Sequence, residues 1–144
     1  MNHISKTINK AVFIQIIGTI LLGSVFYALF FSVTETVDFF KVLWFPLFVG
    51  FFTMFFSGKF IGNSFKPTFN FKVWHGIAII FALLFVGIIA GVLAMQFLPD
   101  WHISDNVQTI ISLLLIFLTF GGLPTLIVCI WLGYKLCKTS TLKT

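Results

Sequence analysis

Runs of roughly 20 apolar residues recur along this sequence, each long enough at ~1.5 Å per helical residue to cross ~30 Å of hydrocarbon. No other feature constrains the fold as strongly. A chain of 144 residues in which 9% are charged and 59% hydrophobic, with a mean hydropathy of +1.09, has too little polar surface to coat a water-soluble domain. The expected fold class is all-α integral membrane: four transmembrane helices in a compact up-down bundle, one domain over residues 1–144. Spans are predicted at about 11–33, 39–57, 73–98 and 107–136, with a loop at 58–72. The first run exceeds the about 7–15 residues of a secretory h-region and no small-x-small cleavage pattern follows it, so it is predicted to be a retained helix.

Charge sets the expected orientation. Lys6 and Lys10 precede the first span, Lys59, Lys66 and Lys72 lie between the second and third, and Lys135, Lys138 and Lys143 follow the fourth. Eight of the nine lysines therefore share one side, which the positive-inside rule makes cytoplasmic, and both termini lie there. Glu35, Asp38, Asp100 and Asp105 fall in the two opposite loops. Lys41 is the exception, and its long stem at a helix end can snorkel outward. Tryptophan prefers the membrane interface, and Trp44 and Trp101 fall at the predicted outer boundary, Trp74 and Trp131 at the inner one. Lysine without arginine, and abundant Phe, Ile and Asn, match the codon bias of an AT-rich genome. The expected location is a bacterial plasma (inner) membrane.

Lipid tails are as apolar as leucine, so helices within a membrane associate through small residues and a few hydrogen bonds. The predicted packing positions are Gln15, Thr19 and Gly23 on the first span, Gly50 on the second, Gly87 and Gly91 on the third, and Gly121 and Thr125 on the fourth. Phe45, Phe48, Phe52 and Phe55 form a second stripe on the second span, expected to face lipid or a partner subunit. Pro46 and Pro124 each remove a backbone donor inside a helix, so kinks are predicted at both, the mid-span one at Pro124. The connection carrying Lys59, Lys66 and Lys72 interleaves them with Phe60, Phe65, Phe69 and Phe71, which suits contact with anionic lipid headgroups.

Several chemistries find no support. No Asp, Glu, Lys or His falls near mid-span, where proton-coupled transporters and voltage sensors need one. His3, His75 and His102 are too dispersed for a b-type haem. Asp100, His102 and Asp105 are weak candidates for a cation, since the charge rule already predicts short acidic outer loops, and no metal or cofactor is assigned. Cys129 and Cys137 stand roughly 12 Å apart along a helix, too far for a disulfide, and are read as free thiols. No nucleophile–base pair or phosphate-cradling loop appears, so no enzyme is expected, and no nucleic-acid partner is assigned. The expected function is that of a small multi-pass membrane protein acting through helix contacts, either an accessory or assembly subunit or an immunity-type protein, in a homo-oligomer or with a membrane-protein partner. The alternative is a minimal permease or channel for a small solute, formed by an oligomer.

Overall fold

The computed structural model of the chain describes residues 3–66, 69–97 and 107–141. The described residues fold into four α-helices: α1 His3–Phe30, α2 Val33–Ser64, α3 Val73–Met95 and α4 Val107–Thr141. The helices α1, α2 and α3 are each long and apolar enough to cross a membrane.

Each connection follows from local chemistry. Between α1 and α2 the backbone turns through Phe31 and Ser32; Ser32 is extended, and its hydroxyl accepts from the Glu35 N–H at 3.1 Å, satisfying a donor that the first turn leaves open. Glu35 in that turn also complements the positive end of the helix dipole. At the start of α3 the His75 Nδ1 accepts from the Lys72 N–H at 2.9 Å, a side chain reaching back to close the helix entrance.

The helices pack as a ring in which α1 touches α2, α2 touches α3, α3 touches α4 and α4 returns to α1. Neighbours run antiparallel, because contacts rise on one helix as they fall on the next. Ser5 meets Gly62 and Asn9 meets Gly58 across α1 and α2, while Gly91 meets Pro46 and Gly87 meets Gly50 across α3 and α2. One end of the bundle therefore gathers the start of α1, the α2–α3 connection and the end of α4, with Lys6, Lys10, Lys59, Lys66, Lys72, Lys135 and Lys138 all exposed there. The opposite end carries Glu35, Asp38 and Lys41, the last two joined at 2.9 Å on the surface.

The core lies toward the lysine-rich end, built on Ile8, Val12, Ile80, Leu83 and Leu132. Helix α1 begins at His3, ahead of the apolar run at 11–33, and buries Ile4, Ser5, Thr7, Ile8 and Asn9. Those residues read as a polar tail because Lys6 and Lys10 punctuate them; both lysines point outward while the intervening side chains pack on α2. Likewise α2 continues through Gly58 and Gly62 to Ser64, shortening the expected 58–72 loop, because both glycines are contact positions against α1 rather than helix stops.

Candidate functional site

The polar centre of the bundle lies between α1 and α4. Gln15 is 1% exposed and Thr125 fully buried, and the Gln15 Nε2 donates to the Thr125 Oγ1 at 2.8 Å. The Thr125 hydroxyl in turn donates to the carbonyl of Gly121, one turn back on α4. A hydroxyl has one hydrogen, and Thr125 has given it to Gly121, so only its lone pairs remain for Gln15. This fixes the amide with nitrogen toward Thr125 and leaves the Gln15 Oε1 buried with no partner among the described residues.

The neighbouring proline shapes the same contact. Pro124 has no N–H for the carbonyl four residues before it, and its ring crowds the preceding turn. Its Cβ rests where a side chain on Gly18 would begin, 3.1 Å from that point, so the absence of a side chain on α1 lets the two helices meet at Pro124. Pro46 is buried on α2, its carbonyl 3.2 Å from where a Cβ on Gly91 would stand.

Beside the Gln15–Thr125 bond lies a cavity of about 50 Å³ walled by all four helices. Gln15 and Thr19 of α1, Pro46 and Gly50 of α2, Gly87 and Gly91 of α3, and Gly121 of α4 line it. Seven of the residues singled out by the sequence thus converge on one place. The α2–α3 wall is held by backbone contact: a Cβ at Gly50 would lie 2.8 Å from the Gly87 carbonyl oxygen, and one at Gly87 would collide with the Met54 side chain. Gly121 is in looser, ordinary contact, its nearest neighbour being Leu84 at 3.5 Å. Gly23 is a different case: nothing lies within 4 Å of where its Cβ would be, so it is half-buried without serving a close approach.

No family model, curated protein or solved structure matches the chain. Its chemistry is read from the site alone.

The lysine-rich end holds the remaining predicted residues. Lys59, Lys66 and Lys72 are exposed, and the carbonyl of Lys59 accepts from the Ser5 hydroxyl at 3.3 Å, tying α1 to α2. The phenylalanines between them divide in two: Phe60 is 76% exposed, whereas Phe71 is 4% exposed and closes the base of the core. Phe65, Phe69 and Phe71 form a mutual cluster with ring centroids 4.9–5.1 Å apart, and the His75 ring stands 5.4 Å from Phe69, edge-on. Composition alone placed all four at a headgroup surface; burial of Phe71 shows the connection folding back under the bundle.

Three contacts have no counterpart among the predicted positions. Asn9 is buried with both amide atoms unpaired among the described residues. Gly62 lies so close to Ser5 that a Cβ there would collide with its Cα. Gly76 and Gly133 join α3 to α4, a Cβ on Gly76 falling 2.6 Å from the Gly133 Cα. Gly58 and Gly62 fall on the same spacing by four as Gly50, and Gly133 on that of Gly121, but spacing names no partner for them. Asp100, Trp101, His102 and Asp105 lie outside the described residues.

The arrangement suits neutral chemistry. Every described Lys, Asp and Glu is exposed, and the interior offers an amide oxygen, hydroxyls and backbone carbonyls. Such groups bind and orient uncharged hydrogen-bonding partners.

Proposed function

We propose that this chain is a multi-pass integral membrane protein of the bacterial plasma membrane that acts without catalysis, through helix contacts, as an accessory or assembly subunit of a membrane complex or as an immunity-type protein. Its lysine-rich end, with both termini, faces the cytoplasm and meets anionic headgroups through Lys59, Lys66 and Lys72. Three long apolar helices, exposed charge confined to the bundle ends, and the gathering of lysines at one of them support this placement.

The observation that carries the functional reading is the division between inside and outside. The glycine faces on α2 and α3, and Gly76 with Gly133, are occupied by contacts within the chain. The broad outward face of α2, with Phe48, Phe52, Phe55 and Phe56 all exposed, remains for another membrane-spanning protein. Aromatic side chains on such a surface offer large contact area at low entropic cost.

The test is purification in lipid nanodiscs followed by mass analysis. A stoichiometric partner of different sequence, lost on Phe48→Ala/Phe52→Ala substitution, is the expected result; the intact chain travelling alone or only with itself overturns the reading. The second reading, an oligomeric permease for a small solute, is favoured by the four-walled cavity at the Gln15–Thr125 contact. It requires flux in liposomes that Gln15→Leu abolishes while the bundle stays folded.

A further inference from the structure

Gln15 and Thr19 stand one turn apart on α1 and both line the cavity. The Gln15 Oε1 is a buried acceptor with no donor, in a side chain 1% exposed. Thr7, Ser24 and Thr53 each donate to the carbonyl four residues back on their own helix, whereas Thr19 makes no hydrogen bond among the described residues. A buried acceptor and a half-buried hydroxyl, neither hydrogen-bonded among the described residues, therefore line one partly open cavity.

An acceptor buried without a donor costs about 1–3 kcal/mol, so a molecule that supplies the donor is favoured there. Size then selects among donors. A water molecule needs at least roughly 10–15 Å³ of probe-occupied space and two to four polar partners, while a dry apolar cavity that takes benzene is about 150 Å³. The space here is about 50 Å³, enough for water and too small for a drug-like solute. No ionised side chain stands in the same walls to offset the desolvation of an ion.

We propose that the cavity is an internal water site, in which water donates to the Gln15 Oε1 and exchanges a hydrogen bond with the Thr19 hydroxyl. The bound water completes the polar cluster that begins at the Gly121 carbonyl and runs through Thr125 to Gln15. It also keeps the Gln15 amide turned toward Thr125, since the oxygen is satisfied where it stands.

Water-edited solid-state NMR on the isotope-labelled full chain in lipid bilayers tests this directly. Magnetisation from water is expected to reach the Gln15 side-chain amide and the Thr19 side chain early, while Leu83 and Ile80, buried nearby, stay dark. Gln15 building up as slowly as Leu83 overturns the proposal. Gln15→Met keeps the length and removes the amide, and is expected to abolish the early signal at Thr19; persistence of that signal overturns the role of Gln15. Thr125→Val leaves the cavity lining intact and is expected to retain it. Should Gln15→Met fail to fold, the native chain and Thr125→Val still decide, because early transfer to Gln15 is required in both.

Discussion

Two alanine substitutions in α4 differ only in what the new methyl group meets. At Gly133 a Cβ would lie 2.5 Å from the Val73 carbonyl oxygen and 2.9 Å from its Cγ1; at Gly122 it would find nothing within 4 Å. Ordinary contact begins near 3.4 Å, so Gly133→Ala must push the start of α3 away by roughly 1 Å. A radial gap of ~0.5–1 Å already forfeits a quarter to a half of a van der Waals well, and forced overpacking costs about 1–3 kcal/mol. Both substitutions gain the same helix propensity, about 1 kcal/mol in water, and that term cancels in the comparison whatever its size in lipid. Gly133→Ala should therefore be less stable than Gly122→Ala by about 1–3 kcal/mol, roughly 5- to 160-fold in the unfolding equilibrium. Titration of the folded protein in mixed micelles with a denaturing detergent, followed by helical circular dichroism, measures the difference. Equal stability, or a more stable Gly133→Ala, refutes the α3–α4 approach described above.

Three further outcomes follow from named contacts. A double-mutant cycle on Gln15→Met and Thr125→Val should give a coupling of ~0.6 to ~1.7 kcal/mol, the range of interhelical hydrogen bonds in membranes, and zero coupling removes the α1–α4 bond from the account. Phe71→Ala should destabilise by about 3–5 kcal/mol in the same titration. Phe60→Ala, removing a ring that is 76% exposed, should leave the midpoint unchanged, so equal losses at both sites contradict the burial of Phe71. A membrane-impermeant maleimide should label Cys137 only after the cells are permeabilised, with Cys129 protected by full burial; labelling of intact cells reverses the proposed orientation.

Much of the fold was legible because hydropathy and glycine spacing are local signals. The four helices, the prolines inside α2 and α4, and the facing surfaces at Gly50, Gly87 and Gly91 all follow from them. Other elements were hidden by the way charge was used. Lys6 and Lys10 are ordinary exposed residues of a helix whose other faces bury Ser5, Thr7 and Asn9, and a reading that ends a span at its first lysine cannot see this. Pairing was illegible for a different reason. A stripe announces that a helix can be approached closely, not which helix approaches, so the matches of Gly76 with Gly133 and of Gly62 with Ser5 needed three dimensions. Gly23 shows the converse, spacing on the stripe of Gln15 and Thr19 with no neighbour to exploit it. The candidate site was half visible: Gln15 and Thr125 stood out as deep polar residues, but the unpaired oxygen and the space beside it arise only from their geometry.

The ring closes through residues 110 positions apart, since α4 returns to lie against α1 and Thr125 there receives the Gln15 amide. Chains are made from the N-terminus, and the first helix is ready long before the last. Until α4 emerges from the ribosome, Gln15 therefore sits in an unfinished wall with its donor unanswered. The first three helices alone therefore lack the acceptor that Thr125 gives the Gln15 amide nitrogen, and only α4 supplies it.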